Sequence, residues 1–430
     1  MRFRHAVVDS RKARRGDIFV ALKGENVDGH DYVANAASRG AAGAIVERQV
    51  DADIAQYVVP SSLVALQDLA RLRRASRPRL KVIGITGSVG KTTTKELVAA
   101  VLGSRYPVLK NEGNLNSEIG LPMALLELTT RHRRAVFEMG MWAPGEIAFL
   151  CEIASPDVGI VTNVGPSHME RLGSIEAIAD AKAELVEALP EDGVAILNAD
   201  DPRVLAMGKR ARAHVMTYGL ERSADVRAEE IETHGLAGVS FVLAHAGERE
   251  PVYSRLPGRA MVHNALAAAA AGVVDGLSVA ETAAALSEAQ VPTRLVACRG
   301  RNGSTIIDDT YNASPASMLA ALDLLGESKG RKIAILGDMR ELGGAEAEGH
   351  RDVGRRAAEV ADVIYAVGDL GRWIGDAAVQ AGHDSVRIVL DKSEIAGQLL
   401  PDLWPADVVL LKASRAMAFE TLLDELKEPE

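Results

Sequence analysis

The segment of residues 81–102, KVIGITGSVGKTTTKELVAAVL, decides the fold of this chain. An apolar run is followed by a glycine-rich turn and then by the apolar periodicity of a helix. Glycines allow backbone N–H groups to surround phosphate oxygens, and the N-terminus of the following helix adds the positive end of its dipole. Lys91 stands where it would reach the β- and γ-phosphates, and the Thr92 hydroxyl stands where it would bind Mg²⁺. The segment therefore predicts a strand, a phosphate-binding loop and a helix.

The loop is a shortened form of the usual phosphate-binding motif. The spacing G-x-x-x-x-G-K-[ST] would need a glycine at Ile85, whereas the glycines here are Gly84, Gly87 and Gly90. The alternative is a glycine-rich turn without a ligand, which the order strand, loop, Lys-Thr and helix disfavours. The N-K-x-D signature of guanine-binding switches is absent, and the kinase motifs H-R-D and D-F-G do not occur together. A nucleotide switch and a kinase are both disfavoured.

Composition limits the class of protein. The chain has 430 residues, of which 47% are hydrophobic and 25% charged, as expected for a globular protein of two or three domains. Its net charge of -10 argues against general binding of nucleic acid or anionic membranes. Two cysteines are too few for a disulfide framework and fit a reducing compartment. No signal-peptide pattern and no uncharged apolar run of about 18 residues is visible, so we expect a cytoplasmic protein without an integral membrane segment.

Three blocks follow one another along the chain. Residues 1–78 end in the Arg-rich RLRRASRPR, residues 79–292 alternate apolar runs with helical patterns, and residues 293–430 repeat that style. Continuous apolar strands separated by helices indicate a parallel sheet covered on both faces, so we predict α/β domains, the last of them Rossmann-like. The predicted strands are KVIGIT, AVFEMG, DVGIVTNVG and GVAILNADD, and then STIIDD, KIAILGD, DVIYAVG, SVRIVL and DVVLLKAS.

A lysine interrupts the apolar stripe of one predicted helix. Residues 174–189, SIEAIADAKAELVEAL, have the periodicity of an amphipathic helix, and Lys182 stands between Ile178 and Leu185 where that pattern asks for an apolar residue. A snorkelling lysine, with a buried stem and a solvated charge, is the alternative to a functional group.

Two further polar residues follow predicted strands: Glu138 ends AVFEMG, and His168 follows DVGIVTNVG. Taken with the phosphate loop and Lys182, they resemble the Mur ligase superfamily, whose members form amide bonds with ATP in peptidoglycan synthesis. The resemblance covers nearly the whole chain. It includes DSR, GDIFVALKGENVDGHDY, NLNSEIGLP, NADDPR, DDTYNASPASM, ILGDMRELG and LLKASRAMAFE. It implies three domains, of which residues 1–78 bind the UDP substrate, residues 79–292 form the P-loop ATPase domain with a parallel sheet, and residues 293–430 form the Rossmann-like ligase domain.

The last four of those segments resemble the members that join D-alanyl-D-alanine to UDP-N-acetylmuramoyl-tripeptide. The D-N-P-R motif of the diaminopimelate-adding members is absent. The resemblance implies an acyl phosphate intermediate and the products UDP-N-acetylmuramoyl-pentapeptide, ADP and phosphate. The two partners are then small molecules, with no nucleic acid involved, and we expect a monomer.

The resemblance also implies a set of catalytic groups. Lys91 serves the ATP phosphates, Thr92 and Glu138 hold one Mg²⁺, and His168 and Lys182 hold a second. Lys182 is carbamylated by CO₂ in this family, which converts an ammonium into a carboxylate-like ligand; desolvation makes the reaction plausible because it favours the neutral amine. Taken singly, Glu138 could be a strand-end acid paired with an arginine, and His168 a hydrogen-bonded loop histidine.

The remaining residues are implied as ligand contacts. The ATP site comprises Thr86, Gly87, Ser88, Val89, Gly90, Lys91, Thr92, Thr93, Asn264, Arg294 and Asp309. The UDP-substrate contacts are Ser10, Arg11, Asn116 and Ser117, and those on the dipeptide side are Asp338, Arg340, Glu341, Lys412, Ser414 and Arg415. The chain departs from the family pattern in having Ala260 and Met261 where His-Asn is usual, Ser117 in place of an asparagine and Ala413 in place of a glycine.

Two other functions remain open from sequence alone. A sister ligase would use another acceptor, either diaminopimelate or lysine, or glutamate as in folylpolyglutamate synthetases. A nucleotide-binding regulator would keep the fold without the reaction, although the presence of Lys91, Glu138, His168 and Lys182 argues against it.

Overall fold

A computed structural model describes residues 3–24, 26–292 and 295–429 of the chain. Its strands form three sheets of four, nine and six strands, which follow one another along the sequence. The predicted α/β class is confirmed. The limits of the predicted domains, at residues 78/79 and 292/293, fall between these sheets and stay a prediction.

The first sheet is parallel throughout, in the order β1-β2-β3-β4. Its strands are β1 (Ala6–Val7), β2 (Ile18–Val20), β3 (Gly43–Val46) and β4 (Gln56–Val58), and its helices are α1 (Val33–Ser38) and α2 (Ser62–Ala75). Helix α2 begins at an N-cap, since the Ser61 hydroxyl accepts the N–H of Val64. Leu66 and Ala70 of this helix pack into the same core as Ile18 and Ile45 of the sheet.

The second sheet has the order β13-β12-β11-β10-β9-β8-β5-β7-β6. Its strands are β5 (Lys81–Thr86), β6 (Val108–Lys110), β7 (Arg134–Glu138), β8 (Val158–Val161), β9 (Val194–Asn198), β10 (His214–Gly219), β11 (Val226–Thr233), β12 (Val239–His245) and β13 (Glu248–Ser254). All strands from β6 to β11 in this order run parallel, and the four that were predicted, β5, β7, β8 and β9, lie among them. Strand β12 is antiparallel to both of its neighbours, β11 and β13. This antiparallel extension was not predicted, because the residues of β11 and β13 include many exposed polar positions and give no continuous apolar run.

Helices cover the second sheet on both faces, as predicted. They are α3 (Lys91–Gly103), α4 (Gly120–Leu126), α5 (Glu146–Ala154), α6 (Met169–Leu172), α7 (Ile175–Glu187), α8 (Pro202–Ala206), α9 (Ala260–Val274) and α10 (Val279–Glu288). Helices α3, α9 and α10 share one apolar core with the sheet, and α4, α5 and α7 share another together with α2. In α7 the Ser174 hydroxyl caps the first turn, and Ile178, Lys182 and Leu185 are all buried, which confirms the interrupted stripe.

The third sheet is Rossmann-like, in the order β14-β15-β19-β16-β17-β18. Its strands are β14 (Val296–Arg299), β15 (Thr305–Asp309), β16 (Lys332–Gly337), β17 (Val363–Val367), β18 (Val386–Val389) and β19 (Val408–Lys412). All of them are parallel except β14, which runs antiparallel to β15 at the edge. The helices are α11 (Pro315–Glu327), α12 (Glu346–Val360), α13 (Gly371–Gln380), α14 (Ser393–Leu399) and α15 (Glu420–Leu426), with the first three on one face and the last two on the other. All nine apolar runs singled out in the sequence form strands.

The length and composition of the helices indicate whether any of them could cross a membrane. Within residues 3–24, 26–292 and 295–429, no helix combines the length and the apolar character that crossing a bilayer requires.

Candidate active site

The phosphate loop leaves the middle of the second sheet, where β5 lies between β7 and β8. Two of its glycines are required by close contacts. Gly87 has φ +149, and a Cβ atom there would lie 1.8 Å from Thr162 Oγ1; Gly90 has φ +86, and a Cβ atom would lie 2.5 Å from Asn264 Oδ1. The loop is therefore held against the end of β8 and against α9, with α3 beginning at its far side.

Two residues after β8 fix the backbone of the loop. Asn163 Oδ1 accepts the N–H of Val89 at 2.8 Å, and its Nδ2 donates to the carbonyl of Val89 at 2.9 Å. Thr162 Oγ1 donates to the same carbonyl at 2.7 Å. Sequence analysis missed both residues, although a polar pair directly after a buried strand is the signal that could have found them.

The predicted loop residues 86–93 form one turn around this backbone. Lys91 Nζ folds back and donates to the carbonyls of Gly87 at 2.8 Å and Ser88 at 3.3 Å. Ser88 Oγ donates to the carbonyl of Gly165 at 3.0 Å, and the Thr86 hydroxyl is buried without a hydrogen-bond partner. The Lys91 ammonium thus lies over the mouth of the loop.

Glu138 ends β7 beside the loop, with only 1% of its surface exposed. Thr92 Oγ1 donates to Glu138 Oε2 at 2.8 Å, and Asn116 Nδ2 donates to Glu138 Oε1 at 2.8 Å. The carboxylate is therefore held by two neutral donors, and the alternative of an ion pair with an arginine finds no such bond among the contacts described. Asn116, which is predicted to contact the substrate, bonds to this carboxylate in the structure.

Asn111, which sequence analysis did not single out, clamps the backbone of Glu138. Its Oδ1 accepts the N–H of Glu138 at 3.0 Å, and its Nδ2 donates to the carbonyls of Leu115 at 2.7 Å and Glu138 at 3.1 Å. The buried Lys95 Nζ donates to the carbonyl of Asn111 at 2.7 Å. Asn111 is fully buried, so the backbone groups it satisfies have no access to solvent.

We predict that Asn111→Ala destabilises the protein by about 1–3 kcal/mol, because it leaves buried backbone groups of Glu138 unpaired. Denaturant unfolding of the full chain measures the change. Asn114→Ala, an exposed asparagine of the same segment, is the matched control and is expected to change stability by less than about 0.5 kcal/mol. Equal losses for the two variants would contradict the role given to Asn111.

Lys182 lies within α7 with 2% of its surface exposed, so it does not snorkel to solvent. Burial, reinforced by the nearby charge of Lys91, lowers the pKa of Lys182 well below its usual range. The neutral amine is thereby favoured at this position. The alternative of a solvated surface charge is wrong.

His168 stands at the N-terminus of α6 with a left-handed backbone, φ +61. Burial and the charges of Lys91 and Lys182 lower the pKa of His168, while Glu341 acts in the opposite direction. Its ring centroid lies 5.1 Å from that of Trp142. The charge of Lys91 thus acts on both His168 and Lys182, and Lys91 adjoins Thr92, whose hydroxyl donates to Glu138.

Glu341, which lies in the segment that forms the third sheet (residues 295–429, called the third-sheet segment below), contacts His168. His168 Nδ1 lies 2.8 Å from Glu341 Oε2, and the N–H of Glu170 donates to the Glu341 carbonyl at 3.4 Å. Glu341 was expected on the dipeptide side of the site, and its observed neighbour is instead the histidine expected at a metal ion.

These residues can be tested for their fit to Mg²⁺. Mg²⁺ is usually held by one or two protein oxygens together with phosphates and water. Thr92 and Glu138 supply such a pair of oxygens, whereas His168 and Lys182 fit a second ion only if the lysine carries oxygen atoms. In the part of the chain that the structure describes, no group of three His, Cys, Asp or Glu side chains forms a self-sufficient metal site.

Asn264 lies in the second turn of α9 rather than at its cap, and it is 7% exposed. Thr94 Oγ1 donates to Asn264 Oδ1 at 3.2 Å, and Asn264 Nδ2 lies 3.6 Å from Met261 Sδ. The substituted position 261 therefore contacts the predicted adenine-binding amide directly. Arg294 lies outside the described residues.

The predicted UDP-substrate contacts lie in two places. Ser10 is buried in a short 3-10 helix, and the side chain of Arg11 is exposed and held by both carboxylate oxygens of Asp9 at 2.8 and 2.9 Å. Asn116 and Ser117 line a cavity of about 40 Å³, together with Gly140, Trp142, Glu146 and Phe149 among others.

The predicted residues of the third sheet form two groups. Asp309 and Lys412 end adjacent strands and pair at 2.5 Å, with Lys412 also donating to the Asn312 carbonyl. Asp338, fully buried, accepts the N–H groups of Leu370 and Gly371 at the start of α13.

Arg340 joins the second group. Its guanidinium donates to Asp338 Oδ2 at 2.6 Å, and its backbone N–H donates to Ser414 Oγ at 2.8 Å. Arg415 is more exposed and pairs with Glu420 at 3.2 Å. Lys412, expected at the dipeptide, is thus bonded to Asp309, the residue expected at the ATP ribose.

Comparison with known proteins covers the whole chain. The description "Mur ligase family, catalytic domain" matches residues 3–92, "Mur ligase middle domain" matches residues 85–272, and "Mur ligase, glutamate ligase domain" matches residues 293–415. The chain is 37% identical to the curated UDP-N-acetylmuramoyl-tripeptide–D-alanyl-D-alanine ligase of Bacillus subtilis (strain 168), over 98% of this chain and 92% of that protein.

Solved structures give the same result. The crystal structure of MurF from Acinetobacter baumannii is 36% identical with a TM-score of 0.89, over 98% of this chain and 92% of that one. MurF ligase from Thermotoga maritima in complex with ADP is 32% identical with a TM-score of 0.86, over 98% and 96%. With likeness of this extent in sequence and in structure, the chain belongs to the Mur ligase family.

Proposed function

We propose that this chain is an ATP-dependent ligase that joins D-alanyl-D-alanine to UDP-N-acetylmuramoyl-tripeptide in peptidoglycan synthesis. The single observation that carries the choice of substrates is the likeness, over 98% of the chain, to a relative named for this reaction. The gathering of Lys91, Glu138, His168 and Lys182 beside a phosphate loop supports the same chemistry.

The reaction has two steps. An oxygen of the tripeptide's terminal carboxylate forms a bond to the γ-phosphorus of ATP, and the bond to the bridging oxygen breaks, so that ADP leaves. The amine of D-alanyl-D-alanine then attacks the acyl carbonyl, loses a proton and expels phosphate. The first step brings two anions together, so cationic groups must neutralise the charge between them.

The chain's own residues would divide this work. The loop of residues 86–93 would hold the phosphates through its backbone N–H groups, and Lys91 would leave its present carbonyl partners to neutralise the γ-phosphate. Asn264, Arg294 and Asp309 would contact the remaining parts of ATP. The ADP complex of the Thermotoga relative supports nucleotide binding by this fold.

Mg²⁺ would add Lewis acidity at the phosphate oxygens. Thr92 and Glu138 would hold one ion, with Asn111 and Asn116 orienting the carboxylate. His168 and Lys182 would hold a second if Lys182 is carbamylated. The depressed pKa of Lys182 supports this modification, because only the neutral amine adds to CO₂. The addition forms an N–C bond and releases one proton, leaving an anionic carbamate.

Substrate contacts complete the proposal. Ser10 and Arg11 would meet the uridine diphosphate, and Asn116 and Ser117, which line the small cavity, would meet the muramoyl end. Asp338, Arg340, Lys412, Ser414 and Arg415 would serve the dipeptide side. We also propose a monomeric protein located in the cytoplasm.

An acceptor panel tests the proposed function. The full chain is incubated with ATP and Mg²⁺ and with one of three donor and acceptor sets: UDP-N-acetylmuramoyl-tripeptide with D-alanyl-D-alanine, UDP-N-acetylmuramoyl-dipeptide with diaminopimelate or lysine, or a folate with glutamate. The masses of the products are measured by mass spectrometry. A product heavier by D-alanyl-D-alanine minus water supports the proposal. A product with another acceptor would assign a sister ligase, and no product with any acceptor would leave a nucleotide-binding regulator.

A further inference from the structure

The contact between His168 and Glu341 joins residues 173 positions apart in the sequence. We propose that Glu341 is a positioning residue, which orients the His168 imidazole toward a divalent cation and so makes that cation site depend on the docked third-sheet segment. The inference rests on the proposed function, because it takes His168 as a metal-binding group.

The two loops interlock at more than one point. The Glu341 carbonyl accepts the N–H of Glu170, and both His168 (φ +61) and Glu341 (φ +67) have left-handed backbones. Gly343 has φ +51, and a Cβ atom there would lie 3.1 Å from the backbone nitrogen of Glu170. Non-glycine residues rarely adopt left-handed backbones, so these conformations mark a constrained contact between the loops.

The contact selects one tautomer of His168. A carboxylate at Nδ1 holds the proton there and leaves the lone pair on Nε2, which is the arrangement usual for metal-binding histidines. The Trp142 ring packs against the imidazole, and the guanidinium carbon of Arg171 lies 4.9 Å from the centroid of the Trp142 ring. Glu341 therefore fixes the proton, and Trp142 restricts the rotation of the ring.

Glu341 is itself presented by a braced loop. His350 is fully buried, and its Nε2 accepts the N–H of Met339 at 2.9 Å while Nδ1 lies 2.6 Å from the Glu346 carbonyl. The Arg340 N–H is held by Ser414. The two residues before Glu341 are thus fixed to the third-sheet segment, and the carboxylate moves with that segment.

The exposure of the pair suits a reversible contact. The side chains of His168 and Glu341 are 25% and 41% exposed, so their pairing adds little stability. Its contribution is geometric.

Pulsed electron paramagnetic resonance tests the inference with Mn²⁺ and a non-hydrolysable ATP analogue as probes. A nitrogen coupling from a bound imidazole is expected in the unaltered chain. Glu341→Ala is expected to weaken that coupling and to raise the Kd for Mn²⁺ by about 10–100-fold, and Glu341→Gln, whose amide oxygen can still accept from Nδ1, to restore most of both. In turnover assays kcat is expected to fall for Glu341→Ala, whereas the KM for ATP is expected to change little.

Controls separate the possible failures. Glu346→Gln, at the first residue of α12 and five positions after Glu341, alters a side chain with no described role in the site and is expected to leave coupling and affinity unchanged. Loss of the coupling in His168→Ala, but unchanged coupling and affinity in both Glu341 variants, would overturn the inference and leave the proposed metal site intact. A coupling that persists in His168→Ala would instead refute the metal site itself. Circular dichroism confirms folding of each variant.

Discussion

Substitution of Lys182 by arginine or methionine is expected to lower kcat by about 10²–10³-fold. A carbamate would stabilise charge that develops during phosphoryl transfer, and removal of one such group typically costs about 10²–10³-fold in rate. Arginine keeps the positive charge but cannot become a neutral nucleophile, so it cannot be carbamylated. Phosphate release in the presence of both substrates measures the effect.

Chemical rescue identifies the active form of Lys182. In Lys182→Ala the vacated buried space is expected to accept acetate or formate and to recover part of the turnover, because these anions replace the carbamate oxygens. Ethylamine is the control, since it replaces an ammonium. Rescue by ethylamine and not by carboxylates, or substantial activity in Lys182→Arg, would show that the cationic form acts and would contradict the carbamate.

Substitution of Lys91 by methionine is the second large effect, an expected loss of about 10³-fold in kcat/KM for ATP. Methionine retains most of the side-chain length and removes the charge that would neutralise the γ-phosphate. The ammonium now bonds to carbonyls of its own loop, so its release toward phosphate needs no rebuilding of the site. The measurement is steady-state ATP turnover at several ATP concentrations.

Lys209→Met provides the comparison for this variant. Lys209 is an exposed lysine at the end of the short helical segment after α8, and its substitution is expected to leave turnover unchanged. A loss of less than tenfold in Lys91→Met would contradict the role assigned to the loop lysine.

The strands and the phosphate loop could be predicted because their signal is local. Continuous apolar runs such as KIAILGD favour buried strands of a sheet that is covered on both faces. The segment KVIGITGSVGKTT contains the signals of a strand, a turn and the start of a helix. Lys182 was visible for the same reason, as a break in a regular stripe. Strands β11 and β13 carry no such signal, since polar residues occupy at least half of the positions in each.

The supporting residues of the site could not be predicted because their partners are distant. Asn111 meets Glu138 across 27 residues, Asn163 meets Val89 across 74, and Glu341 meets His168 across 173. A single sequence gives the type of each residue, and only the packed sheets determine which ones meet. The family resemblance supplied the ligand sets, whereas the bond of Asn116 to Glu138 and that of Glu341 to His168 are visible only in the structure.

The most direct test of the account follows an oxygen atom. UDP-N-acetylmuramoyl-tripeptide labelled with ¹⁸O in its terminal carboxylate is turned over with ATP, Mg²⁺ and D-alanyl-D-alanine, and the released phosphate is analysed by mass spectrometry. The account predicts one ¹⁸O atom in each phosphate, because the carboxylate oxygen that attacks the γ-phosphorus leaves with it. Unlabelled phosphate formed together with the ligated product would contradict the acyl phosphate and the charge-stabilising site built around it.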